Sequence, residues 1–532
     1  MKLKKYQVRE NDASSRVYVF FRDLVEMPQT IIDLLKTADL DALALGGIGR
    51  PTLTFRGLIA QAGATVAALN ARGIGRNDRV AILLPNGPEM ASAFISVGCG
   101  ATTAPLNPAY RAEELDFYLS DLNAKALLVA RGSTTPARDL ARARNIPVLE
   151  IDWAEEDPAG TFSILGDPSA APAVTGGFLA PEDGALVLHT SGTTSRPKIV
   201  PLTQQNVCAS AGNIAETLRL TPEDTCLNIM PLFHIHGLIA AVLSSLSAGA
   251  SVFCTPGFNA LNFFSFLEDI KPSWYTAVPT MHPTILTRAG RNQKIVDQAK
   301  LRFIRSSSSS LPPPVMVELE KVFTCPVIEA YGMTEASHQM ASNPLPDAPR
   351  KLGSVGIAAG PEIAIMAQDG AALLAPGDTG EIVIRGENVF AGYESNAAAN
   401  AEAFSGDWFR TGDQGVMDED GYISITGRLK EIINRGGEKI SPREVDDILM
   451  DHPAVQQVIT FAMPHKKLGE DVAAAIVLRD GEAATENDVR EFARSRLADF
   501  KVPRRVLILD EIPKGATGKL QRIGLATKLG LN

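Results

Sequence analysis

The sequence predicts an α/β protein, on three observations. Short apolar strands alternate with helical patterns as far as about residue 332, closely spaced strands with Gly- and Asp-containing turns follow from about residue 353, and a compact α+β alternation begins after Arg428.

In chain order, residues 1–28 read as a polar N-terminal extension and 29–429 as a large domain of layered α/β sheets with a β-rich subdomain. "VAILLP" (80–85) is an apolar strand, "EELDFYLSDL" a helix, and "KALLVA" (125–130) the next strand. The rhythm recurs in "GALVLHT" (184–190), "ASVFCT" (250–255), "WYTAV" (274–278), "LRFIRS" (301–306) and "PVIEAYG" (326–332). "GEIVIRG" and "GYISITGR" then read as strands of the smaller β-rich unit. Residues 430–532 form a small α+β domain of ordinary size: helix "EVDDILMDH", strands "VQQVITFAM" and "DVAAAIVLRD", helix "ENDVREFARSRLADF" and strand "RVLILDEI". The Pro- and Ala-rich stretch 155–182 reads as an irregular surface excursion.

A chain of 532 residues can bury a substantial core and divide into domains, and 45% hydrophobic with 21% charged residues describes an ordinary globular enzyme. The net charge of -10 argues against a nucleic-acid surface, which needs clustered Lys and Arg, so any phosphate site must be local. Cys99, Cys208, Cys226, Cys254 and Cys325 are scattered without metal-ligand spacing, as in a reducing compartment. No apolar run approaches the ~20 residues of a membrane span. The expectation is a cytoplasmic protein with no membrane partner.

"LVLHTSGTTSRPKIVPLT" (186–203) carries hydroxyls and Gly192 directly behind an apolar strand, so successive backbone N–H groups and side-chain oxygens can face an anion. Phosphate suits it. The G-x-x-x-x-G-K-[ST] loop does not fit, because Pro197 stands five residues after Gly192 and Ile199 follows Lys198. Taken alone, the stretch also reads as a polar turn.

Its neighbours decide. Together with "EAYGMTEASHQ" (329–339), "WFRTGD" (408–413), "GRLKEIINRGGEKISPREVD" (427–446) and "PKGATGKLQR" (513–522), the stretch resembles the motif series of the adenylate-forming (AMP-binding) superfamily, in order and spacing. The resemblance implies that family's fold and chemistry: an acid is activated by ATP as an acyl-adenylate, then transferred to a thiol. It implies that Thr190, Ser191, Gly192, Thr193, Thr194 and Lys198 hold the triphosphate, with Thr334 and Tyr331 near the base, Asp413 and Arg428 on the ribose, and Glu335 on Mg²⁺. Lys519 is then the catalytic lysine of adenylation, where a cation offsets the charge of two anions brought together. Lys430 falls at the hinge about which a mobile C-terminal domain turns, and Gly436 and Gly437 line the thiol channel. No carrier-protein domain follows Asn532, which favours free coenzyme A as acceptor. Oligomeric state is not legible.

For the acid, His338 and Gln339 stand where many members carry small or apolar residues. With His234, His236 and the serines around 307–309, Ser307 and Ser309 chief among them, they predict a short polar pocket able to hold a second carboxylate. "HTSGTTSRPK", "RFIRS", "EASH" and "SNPLP" resemble most the oxalyl-CoA synthetase branch, so oxalate is expected first and another small dicarboxylate second. Alternatives are an aryl, medium-chain or fatty acid, and a non-catalytic nucleotide-binding protein on the same fold. Two departures stand out: Ile199 in place of a glycine after "PK", and the unbroken run Ser306–Ser310.

Overall fold

The structure is a computed structural model that describes residues 7–10, 16–19, 28–167, 171–190, 197–368, 370–513 and 520–531. The predicted strands fall close to their sequence bounds: "GALVLHT" is Gly184–Thr190, and "PVIEAYG" becomes Val327–Met333.

Two sheets dominate. One has seven strands, in the order Lys198–Thr203, Gly184–Thr190, Thr102–Pro105, Arg79–Leu83, Ala126–Ala130, Val148–Asp152, Ser163–Ile164. The other has nine, with the parallel run Val327–Met333, Phe303–Ser307, Trp274–Ala277, Thr225–Asn228, Ser251–Cys254 at its centre. Such strands are covered on both faces, and here alternation sorts each strand between two cores. Trp274, Phe303 and Ile328 face the large core shared with Val80, Ile82 and Leu128 of the seven-stranded sheet. Tyr275, Ile304 and Val327 face a second core built on Phe263, Phe264 and Leu319.

Between the sheets runs a π-helical segment, His236–Leu243, buried throughout. Gly237 lets it approach the preceding loop, since a Cβ there would lie 2.4 Å from the Pro231 carbonyl oxygen. The π conformation recurs at functional sites in other folds, and His236 opens this one.

The β-rich unit is a five-stranded sheet that includes Thr379–Arg385, Trp408–Met417 and Ile423–Arg428. A further five-stranded sheet, between Ile433 and Ile508, carries helices Pro442–Met450 and Glu486–Arg494 and packs its own core around Val445, Ile476 and Val489. Stretch 155–182 is largely irregular where described. Among the described residues no helix is long and apolar enough to cross a membrane.

Candidate active site

The carboxyl ends of parallel strands are where open α/β sheets bind ligands, and several of the predicted site residues fall into two groups near the ends of Phe303–Ser307 and Val327–Met333. The first is built around two carboxylates. Antiparallel pairing of Trp408–Met417 with Ile423–Arg428 sets Asp413 opposite Arg428, with Arg428 Nε 3.5 Å from Asp413 Oδ1. From the nine-stranded sheet the Tyr331 hydroxyl donates to Asp413 Oδ2 at 2.5 Å. Burial pushes the Tyr331 phenol well up, so it stays a donor, and Asp413 raises Arg428 further.

Glu335 repeats the device. It lies in the 3₁₀ turn Thr334–Ala336, directly after the half-exposed Thr334, and its Oε1 accepts from the hydroxyl of Tyr393 at 2.9 Å. Burial raises the Glu335 carboxyl above the usual range, while Tyr393, Arg428 and Lys198 pull it back. Lys198 Nζ sits 4.2 Å over the Tyr393 ring, a cation–π contact that joins the phosphate hairpin to this carboxylate. No group of three or more metal-ligating side chains occurs among the described residues. A single buried carboxylate nevertheless fits magnesium, which usually takes one or two protein carboxylates and completes its shell with phosphates and water.

The hairpin itself brings Thr190 opposite Lys198. Ser191, Gly192, Thr193 and Thr194 lie outside the described residues, as does Lys519. Ile199 is a strand residue opposite His189, packed with Val187 and Leu83 in an apolar cluster, and its carbonyl accepts from the Glu394 N–H. A β-branched side chain suits that place, which fixes the strand from which Lys198 projects.

The second group is made of donors. His236 is fully buried, with Nε2 2.6 Å from Thr276 Oγ1 and Nδ1 3.0 Å from Ser308 Oγ. Its ring meets that of His338 edge-on, centroids 4.9 Å apart. His338 is itself buried and adopts φ +101°, following Ser337 at +49°. Left-handed conformations at two successive non-glycine residues are costly and concentrate at functional sites. Here neighbours over-determine them: Asn388 Nδ2 donates to the carbonyls of Ala336 and Gln339, at 2.9 Å each. Gly332 closes the other side, since a Cβ there would fall 1.8 Å from the His338 carbonyl oxygen.

His234 is half-buried, and its Nδ1 accepts from the His236 N–H at 3.3 Å. Ser307 donates its hydroxyl to the Ala330 carbonyl within the sheet, and Ser309 is exposed. The serine that reaches a histidine is Ser308, which leaves the strand with φ +78°.

Lys430 is exposed in the 3₁₀ turn Leu429–Glu431. Gly436 and Gly437 are the two central residues of the hairpin joining Ile433–Arg435 to Glu438–Ile440, at φ +63° and +104°. A two-residue hairpin of this hand needs both angles positive. Gly436 also donates to the Leu468 carbonyl. Just past Lys519, Arg522 binds Glu431 of the same 3₁₀ turn at 3.2 Å and Asp446 at 2.7 Å.

Sequence reasoning missed Tyr393 and Asn388, which come from separate segments that no local pattern marks, and did not single out Thr276 within 274–282.

Residues 36–394 match the AMP-binding enzyme family, and 444–519 match the AMP-binding enzyme C-terminal domain. The chain is similar to an oxalate–CoA ligase of Arabidopsis thaliana, 46% identical over 85% of this chain and 88% of the relative. An oxalate–CoA ligase of Saccharomyces cerevisiae is 42% identical over 84% and 86%. Among solved structures, ATP-bound MatB from Rhodopseudomonas palustris aligns with TM-score 0.84 and 28% identity, covering 94% of this chain and 99% of that one.

Proposed function

Because the chain belongs to the AMP-binding enzyme family, and within it is an acyl-CoA synthetase, we propose that it joins oxalate, or failing that another small dicarboxylate, to coenzyme A through an acyl-adenylate. The observation that carries the choice of acid is the buried pair His236–His338, anchored by Ser308 and Thr276. A cluster of fixed polar side chains suits a short, doubly charged acid better than an alkyl chain.

In the first half-reaction one acid carboxylate oxygen attacks the α-phosphorus of ATP and pyrophosphate leaves; in the second the thiol of coenzyme A attacks the acyl carbon and AMP leaves. Thr190 and Lys198, with Ser191, Gly192, Thr193 and Thr194, hold the β- and γ-phosphates. Tyr331 and Thr334 border the base, and Asp413 and Arg428 hold the ribose hydroxyls. Asp413 suits that task because Tyr331 and Arg428 already orient it. Glu335 holds Mg²⁺, whose charge offsets that of the triphosphate when bound. Lys519 stabilises the charge that gathers during adenylation.

The acid and nucleotide residues belong to 29–429. Residues 430–532 turn about Lys430 between half-reactions, withdrawing Lys519 and bringing the Gly436–Gly437 hairpin toward the thiol path. Contact of Arg522 with Glu431 supports the coupling, since the lysine segment and the hinge turn are tied together. The five cysteines are free, buried thiols, which suits a protein working in the cytoplasm.

The test is pyrophosphate release from oxalate, malonate, succinate, 4-coumarate and octanoate, with and without coenzyme A. Oxalate should give the highest kcat/KM. Release from the apolar acids alone would defeat the proposed substrate class while leaving the ligase chemistry intact.

A further inference from the structure

Arg305 lies in the middle of the strand Phe303–Ser307 and is completely buried. Burying an ionised guanidinium is costly unless an anion or several acceptors compensate it. Among the described residues Arg305 has one acceptor: Nη2 donates to Gln339 Oε1 at 3.2 Å, while Nε and Nη1 have none. Among the described residues no carboxylate pairs with it. Among them the Cys226 thiol is the one titratable group that acts on its charge, and burial pushes that thiol well above its ordinary value, so it brings no anion near pH 7. Burial also pushes the Arg305 guanidinium down, to about 9, which still leaves it a cation at neutral pH.

Its place connects it to the acid group on both sides. In the parallel sheet Arg305 is the register partner of Thr276, whose hydroxyl binds His236 Nε2. On the other side its acceptor, Gln339, directly follows His338 and is held by Thr217 and the Ala359 carbonyl. Arg305 is therefore one strand from the residue that holds His236 and is bonded to the residue that follows His338.

We propose that Arg305 is the fixed positive charge of the acid pocket and the residue that makes the site prefer a doubly charged acid to a singly charged one. The inference rests on the dicarboxylate reading above and deepens it. Both ring nitrogens of His236 are engaged by Ser308 and Thr276, and Arg305, on the strand beside Thr276, supplies the fixed positive charge. A bound dianion then compensates a guanidinium that the protein leaves uncompensated, so burial strengthens the attraction instead of only penalising the charge.

The experiment compares wild type, R305K, R305Q and R305M as full-length enzymes. It measures KM for oxalate and for ATP, together with the inhibition constant of glyoxylate, a monoanion of similar size, against oxalate. R305Q should raise the oxalate KM about 10- to 100-fold, leave the glyoxylate constant and the ATP KM nearly unchanged, and be largely rescued in R305K. R305M supplies the same neutralisation without a polar head, should one neutral variant fold poorly. Equal losses for oxalate and glyoxylate, or an R305K enzyme no better than R305Q, would overturn the assignment and leave Arg305 a structural residue. Wild-type turnover of oxalate separates the two ideas: if it is present and the selectivity does not move, only the role of Arg305 fails. If wild type favours monoanionic acids, both fail.

Discussion

The nucleotide half and the acid half of the site are built on opposite plans. On the nucleotide side two carboxylates, Asp413 and Glu335, each have one oxygen held by a tyrosine hydroxyl, from Tyr331 and Tyr393. They present acceptors of the kind a diol or a cation takes, and Arg428 and Lys198 offset their charge. In the other group His236, Ser308, Thr276 and His338 bring no carboxylate, and Arg305 on the strand beside Thr276 has only Gln339 as acceptor among the described residues. On the reading proposed above, the difference teaches that the protein itself orients and balances the nucleotide carboxylates, whereas the acid pocket would gain its charge balance from its substrate.

The sharpest way to break this division is Lys519→Ala. It should lower the adenylation rate by roughly 10²–10³-fold, the usual cost of removing one transition-state charge partner, yet largely spare thioester formation from supplied acyl-adenylate. Equal loss in both steps, in single-turnover measurements, would contradict a lysine that serves one half-reaction.

Next in size is His338→Ala, which should raise the KM for the dicarboxylate about 10- to 100-fold and leave the ATP KM near wild type. An unchanged acid KM would remove His338 from the pocket and reduce its left-handed backbone to a local oddity. Tyr393→Phe tests the other half. Losing the hydroxyl that orients Glu335 should raise the Mg²⁺ concentration for half-maximal rate about tenfold, the lower range for groups that orient metal ligands, with the acid KM unmoved.

The smallest effect concerns the strand the halves share. Glu329 precedes Tyr331 by two residues and accepts from the Leu311 N–H, just beyond the serine run. Burial pushes its carboxyl up to about 7, so the folded state holds a proton that the unfolded chain releases near 4.5. Stability should therefore fall as pH rises from about 5 toward 7 and level off above, by roughly 1–3 kcal/mol. Thermal unfolding of Glu329→Gln at pH 5 and pH 8 should show a flatter profile than wild type; an identical slope would mean Glu329 is ionised in the fold throughout.

Much of the nucleotide half was legible in the chain because motif spacing encodes local backbone. "WFRTGD" and "ITGR" are adjacent antiparallel strands, so the pairing of Asp413 with Arg428 follows from one short hairpin. Ile199 looked anomalous only while its strand partner was unknown; opposite His189 and against Val187 it is ordinary core. The acid half was harder to read. The serine run in "RFIRSSSSS" put Ser307 and Ser309 forward, but Ser307 is held by the Ala330 carbonyl and Ser309 is exposed. The left-handed turn at Ser308 sends that hydroxyl to His236 instead. Side-chain direction alternates only while the backbone stays extended.

By itself, then, the sequence determined the order of strands and the family, because those features depend on periodicity and on short segments whose backbone is set by their own residues. Only the tertiary structure decided which polar groups share the acid pocket. His236 meets Ser308 across 72 positions and Thr276 across 40, and Arg305 meets Gln339 across 34. Such meetings depend on sheet register, on a π-helical turn between two sheets and on left-handed residues held in place by distant side chains, none of which a linear pattern can carry.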